Sequence, residues 1–160
     1  MRMRIAWLGL LLLLTACGRV DEDLSRDPIY AQMVGKTYRT KMDLMVHTSL
    51  GMGKKRISLR EIGTGDSPDR SELNKPFPFR YYDMKILGIL PAATEFKIVK
   101  VKQEGSTGMN FTWYQVQILK SADMQWVEKI VYPMGMTDYS NKEPVPKFEE
   151  KYVEEIPEQP

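Results

Sequence analysis

Side chains alternate between apolar and polar from Tyr38 to Leu50, and this period of two constrains the fold more than any other feature. The apolar positions are Tyr38, Thr40, Met42, Leu44, Val46 and Leu50, and the polar positions are Arg39, Lys41, Asp43, His47 and Ser49. Successive side chains of a strand point to opposite faces, so the pattern predicts a half-buried β-strand. Gly51 to Lys54 supplies turn residues and alternation resumes from Arg56 to Ile62, which predicts a β-hairpin.

Three later segments, 95–102, 109–119 and 125–132, are rich in aromatic and β-branched residues and are also predicted strands. The apolar face changes parity near Trp113, which predicts a bulge there. Residues 63–78 hold many glycines and prolines and predict a long exposed loop. Because the predicted strands are short and few segments have a helical period, the sequence predicts an all-β fold. We expect its architecture to be a small antiparallel barrel of about five to six strands.

Two segments sharpen this expectation. The segment from Gly88 to Ile98 reads Gly-Ile-Leu-Pro-Ala-Ala-Thr-Glu-Phe-Lys-Ile, and the segment from Trp113 to Ile118 reads Trp-Tyr-Gln-Val-Gln-Ile. They resemble the "Gly-x-Leu-Pro-x-Gly-Thr" turn and the "Trp-Tyr-x-Val" strand of bacterial SH3-like domains. Ala93 stands where that pattern has glycine. The resemblance implies an SH3-like barrel, with another barrel or a small sandwich as the alternatives.

The N-terminus has the layout of a secretory signal. Arg2 and Arg4 precede an apolar run of about ten residues, which is too short to span a membrane as a helix. The segment Leu14-Thr15-Ala16-Cys17 resembles the lipobox of bacterial prolipoproteins. That resemblance implies cleavage before Cys17, diacylglycerol on its sulfur and an acylated amino terminus. Several acyl chains together anchor a protein stably in a membrane, whereas a single chain does so only marginally. Gly18, the residue after the cysteine, favours the outer membrane over the inner membrane. The alternative to the lipobox interpretation is an ordinary signal peptide that is cleaved elsewhere.

Removal of residues 1–16 changes the charge argument. The full chain has 23 basic and 21 acidic residues, and the signal carries two arginines, so 21 of each remain. A neutral chain offers no overall attraction to nucleic acid. With its one cysteine lipidated, the chain has no thiol for a disulfide, so its stability must come from a packed core.

The remaining chain divides by composition into a lipidated tether at 17–34, a barrel domain at 35–142 and an acidic tail at 143–160. The tail holds six Glu, two Lys and four Pro, which predicts disorder. Its net charge of −4 faces a domain of opposite sign, so the tail could fold back over a basic face.

Catalytic chemistry has few candidates. His47 is the one histidine, and its place in the alternation predicts a solvated side chain on the polar face of a strand. Met134-Gly135-Met136 suits Cu(I), but methionine also fills gaps in cores. We therefore expect no enzyme activity, no metal and no cofactor.

The best candidate for a contact surface is the aromatic segment that includes Phe77, Phe79, Tyr81 and Tyr82. Such rings can also serve as core or lid packing. The sequence predicts a lipid-anchored periplasmic protein that acts as a non-catalytic binding module for an envelope protein or peptidoglycan. The alternative hypothesis is an immunity or inhibitor lipoprotein that neutralises a periplasmic toxin or hydrolase.

Overall fold

The computed structural model describes residues 20–51, 54–63, 85–106, 109–133, 136–138 and 145–157. These residues are almost entirely strands, which confirms the all-β class. The strands are β1 Val20–Asp23, β2 Thr37–Thr40, β3 Leu44–Gly51, β4 Lys54–Glu61, β5 Ile86–Leu90, β6 Glu95–Ser106, β7 Met109–Lys120, β8 Ile130–Val131, β9 Thr137–Asp138, β10 Lys147–Phe148 and β11 Val153–Ile156. One helical turn, α1, spans Pro28–Ala31, and a 3-10 helix spans Met124–Trp126.

The larger sheet has six strands around the long hairpin formed by β6 and β7. Its order is β11-β2-β6-β7-β8, with β1 also paired to β6, and every pair is antiparallel. β2 and β1 share the same edge of β6 at opposite ends: Tyr38 pairs with Phe96, whereas Val20 pairs with Gly105. The two ends of β6 therefore carry different neighbours.

The smaller sheet has the order β4-β3-β5 and joins the larger sheet at Tyr132. The Leu59 amide donates to the Tyr132 carbonyl at 2.8 Å, and the Tyr132 amide donates to the Ile57 carbonyl at 2.8 Å. The expected closed barrel is wrong for the described residues, because no pairing joins β5 to β11. The alternating stretch breaks at residues 41–43, so β2 and β3 belong to different sheets.

Both sheets contribute to one hydrophobic core. Fully buried members include Leu44, Val46, Leu59, Leu90, Phe96, Ile98, Val101, Val116 and Ile118. Alternation explains this set, since every second side chain of β3, β6 and β7 faces the core. The apolar surface they remove from water is the main stabilising contribution in a chain whose described part contains no disulfide.

The predicted tether at 17–34 is wrong from Val20 onward. β1 is a strand of the larger sheet, and Leu24 and Met33 are buried in the core. The Leu24 amide donates to the Val101 carbonyl at 2.9 Å, which continues the pairing beyond β1. Composition alone concealed this role, because polar residues surround the two apolar anchors.

The predicted disorder of the tail at 143–160 is wrong for residues 145–157. Phe148, Tyr152 and Val153 pack against the core, and β11 pairs with β2 along its length. The acidic residues are partnered rather than repelled: Glu154 bonds Arg39 at 3.2 Å and Glu155 bonds Lys36 at 2.9 Å. These ion pairs confirm the narrower expectation that the acidic segment folds back over basic residues.

The bulge predicted near Trp113 is also wrong. β7 keeps its register there, and the two irregularities of the β6–β7 pairing lie elsewhere, between Ile98 and Lys100 and between Glu95 and Phe96. The core face of β7 keeps one parity, because Tyr114, Val116 and Ile118 are buried, whereas Phe111 lies on the other face and is 40% exposed. Apolar side chains therefore occupy both faces of β7.

The turn between β5 and β6 contains a residue in the left-handed conformation. Ala93 has a φ of 61°, and its amide donates to the Thr40 carbonyl at 2.8 Å. The Thr94 hydroxyl donates to the Pro91 carbonyl at 2.7 Å, which fixes the turn. The positive φ strains an alanine, because its Cβ approaches the backbone in the left-handed conformation. This is the position where the SH3-like pattern has glycine, which has no Cβ.

We expect Ala93→Gly to raise the free energy of unfolding by about 0.5–1 kcal/mol, because relief of strain exceeds the entropy gained by the unfolded chain. Urea denaturation measures the change. Ala92→Gly is the matched control, since Ala92 has no positive φ, and it should lower stability. A loss in both variants would contradict the strain at Ala93.

Candidate binding cleft

A cleft of about 390 Å³ lies between β2, β10 and β11. Its apolar lining is Met33, Tyr38, Phe148 and Val153, and its polar lining is Lys36, Lys41, Lys147, Glu150, Glu154 and Glu155. Half of the apolar residues come from the C-terminal segment. The segment predicted to be a disordered tail thus builds one wall of the cleft.

The floor of the cleft is an aromatic cluster. Tyr38 meets Phe148 edge to face, with ring centroids 4.8 Å apart, and stacks on Phe96 at 5.8 Å. Tyr114 holds the segment in place, because its hydroxyl donates to the Pro146 carbonyl. Burial, reinforced by Glu155, raises the pKa of Tyr38 above its ordinary value of 10.0, and a tyrosine hydroxyl is neutral at physiological pH even without this shift. A neutral aromatic floor favours apolar groups of a ligand.

The rim of the cleft alternates in charge. Lys36 pairs with Glu155 at 2.9 Å, and the Lys41 ammonium donates to the Glu150 carbonyl at 2.7 Å. Lys147 and Glu150 are exposed at the mouth. Mixed charge provides no strong field for a polyanion, and it matches the mixed surface of a protein partner.

The outer edge of β11 adds main-chain groups beside the cleft. β11 is the last strand of the larger sheet, and within the described ranges no strand pairs with its second edge. An edge of this kind presents amide and carbonyl groups that an extended chain can bind.

The predicted site residues lie outside the described residues. These are Cys17, Phe77, Phe79, Tyr81 and Tyr82. Sequence reasoning identified the inward position of Tyr38 but missed Phe148 and Val153. Their signal was the group of aromatic and β-branched residues within the acidic segment, which its charge and prolines obscured.

The basic residues near β1 are paired with acids. Asp21 bonds Lys54 at 2.5 Å and Lys102 at 2.6 Å, and Asp23 bonds Lys100 at 2.8 Å. Hydrogen bonds from Lys102 and Lys54 lower the pKa of Asp21 to about 2. These lysines therefore form no uncompensated basic patch.

His47 is buried, so the prediction of a solvated side chain is wrong. It is 4% exposed and lies opposite the buried Ser58 on β4. Its Nδ1 donates to the Thr48 carbonyl at 3.1 Å, while its buried Nε2 has no hydrogen-bond partner. β3 is the central strand of its sheet, and both of its faces are covered. His47 and Ser58 are therefore both enclosed by the described part of the chain.

Other chemical features are few in the described part of the chain. It contains no group of three or more His, Cys, Asp or Glu residues that could hold a metal ion. Met136, the described member of the Met-Gly-Met segment, is fully buried in the core.

Comparison with protein-family models, curated proteins and solved structures finds no match to this chain. Among the described residues, no helix is both long and apolar enough to cross a bilayer.

The burial of His47 predicts that the stability of the fold depends on pH. Burial, and secondarily the charge of Arg60, lowers the pKa of His47 below its ordinary value of 6.5. The unfolded chain therefore binds a proton more readily, and stability falls as pH drops below about 6.5, by up to about 1.4 kcal/mol per pH unit.

We expect His47→Gln to flatten this dependence, because glutamine does not titrate and the chain has one histidine. Urea unfolding of both proteins between pH 7.5 and pH 5.5 measures the difference, assuming the usual linear extrapolation. Parallel curves for the two proteins would contradict the buried neutral state of His47.

Proposed function

We propose that this protein is a lipid-anchored periplasmic lipoprotein that acts as a non-catalytic binding module. Cys17 carries the anchor, and the outer membrane is the favoured site. The cleft beside the outer edge of β11, which no described strand covers, binds the partner, an envelope protein or peptidoglycan. The observation that carries this proposal is the aromatic floor formed by Tyr38 and Phe148 next to an edge strand.

The chemistry of the cleft favours a protein partner over peptidoglycan. An extended segment can add main-chain hydrogen bonds to β11 and place an apolar side chain over the ring of Phe148. The rim offers both ammonium and carboxylate groups within the same mouth. The SH3-like resemblance supports the same mode, because SH3-like grooves dock extended peptides on aromatic rings.

A non-catalytic role is supported by the position of His47, which is enclosed and points its unpartnered nitrogen into the interior. General acid–base chemistry requires a group within reach of the substrate. The lipobox resemblance of Leu14-Thr15-Ala16-Cys17 supports the anchor. Phe77, Phe79, Tyr81 and Tyr82 remain candidates for a second contact.

We expect Lys147→Glu to reduce partner recovery about tenfold, which corresponds to about 1.4 kcal/mol, because it reverses a charge at the mouth of the cleft. Crosslinking and affinity capture from intact envelopes, with Cys17 retained, measures recovery. Lys129→Glu is the matched control, since Lys129 is also exposed but does not line the cleft.

Equal recovery of the same partner by both variants would contradict the cleft as the binding site. Co-sedimentation with purified peptidoglycan distinguishes that partner from a protein. A captured toxin or hydrolase would instead support the inhibitor hypothesis. Phe79→Ala and Tyr81→Ala, in the same assay, test the aromatic segment.

A further inference from the structure

The fold begins very close to the proposed anchor. β1 starts at Val20, three residues after Cys17. Three residues span at most about 11 Å, even when fully extended. An anchor at Cys17 therefore holds the start of β1 at the bilayer surface, because no tether separates them.

Two hairpins end beside the start of β1. Val20 pairs with Gly105, which pairs in turn with Asn110 at the turn end of the β6–β7 hairpin. The β3–β4 hairpin reaches the same place, since the Lys54 ammonium bonds Asp21 at 2.5 Å. We call this region the proximal end and define it by Val20, Lys54, Lys55, Asn110 and Phe111.

The side chains of the proximal end suit a membrane interface. Phe111 is 40% exposed and stacks on Trp113, with ring centroids 5.7 Å apart and planes inclined by 29°. Aromatic rings concentrate at the boundary between headgroups and acyl chains. Lys54 and Lys102 neutralise Asp21, and Lys100 neutralises Asp23, so these carboxylates present little uncompensated negative charge to anionic headgroups.

We infer that the proximal end rests on the bilayer, with the exposed ring of Phe111 at headgroup level. This inference depends on the lipid anchor of the proposed function. The same placement fixes how the cleft is oriented relative to the membrane. Tyr38 pairs with Phe96, and the nine residue-to-residue steps from Phe96 to Gly105 span about 30 Å of strand. The binding cleft lies at the end of β6 remote from the membrane, where it faces the periplasm.

The single cysteine makes the test direct. Once Cys17 is acylated the chain has no other thiol, so Asn110→Cys introduces one labelling site at an exposed position. The acylated protein is labelled there with an environment-sensitive fluorophore and reconstituted in phosphatidylethanolamine–phosphatidylglycerol vesicles that contain nitroxide on their headgroups. Met124→Cys is the matched control, because Met124 is 73% exposed and follows the far end of β7.

We expect nitroxide headgroups to remove most of the emission from the label at position 110 and little from the label at position 124. Phe111→Ser, added to the Asn110→Cys protein, should restore part of the emission while the anchor is retained. Intact mass of the same samples reports acylation separately. Acylated protein with equal emission from both labels would overturn this inference and leave the anchor standing. Absence of acylation would overturn the proposed anchor and the inference together.

Discussion

A buried ion pair between Arg56 and Glu104 joins the two sheets, and much of the structure depends on it. The two side chains are 4% and 5% exposed, and the Arg56 guanidinium also lies over the ring of Tyr132, 4.9 Å from its centroid. Burial of either charge alone is costly, because it loses hydration without a compensating partner. The pair therefore requires β4 to lie against the end of β6, and it excludes arrangements in which the sheets separate there.

Both terminal segments complete the larger sheet around this junction. β1 adds Asp21 beside Lys54 and Lys102, so an exposed ion-pair group adjoins the buried one. At the other end of β6, β2 carries β11, and the C-terminal segment supplies Phe148 and Val153 to the cleft. In the proposed arrangement on the membrane, the N-terminal strand faces the bilayer and the C-terminal strand builds the binding surface. Because the two strands lie toward opposite ends of β6, the proposed anchor leaves the cleft accessible.

Sequence patterns predicted the parts of this fold that depend on local periodicity. The hairpin of β3 and β4 and the long strands β6 and β7 follow the apolar alternation closely. The resemblance to the SH3-like turn also identified the position of Ala93, whose positive φ explains the usual glycine. Local patterns cannot show which distant segment neutralises a charge. Glu154 and Glu155 bond residues 115 and 119 positions away, and net charge alone made their segment appear disordered. The same limit concealed half of the apolar lining of the cleft and the burial of His47, whose environment depends on the covered central strand β3.

A double-mutant cycle on the buried pair tests the central claim most directly. We expect Arg56→Met and Glu104→Leu each to lower the free energy of unfolding by about 3–5 kcal/mol, because each leaves one charge buried without its partner. The combined variant should lose less than either single variant, since no charge then remains between the sheets. Urea unfolding of the four proteins measures the coupling. Losses that simply add would contradict the account, because they would show that Arg56 and Glu104 act independently.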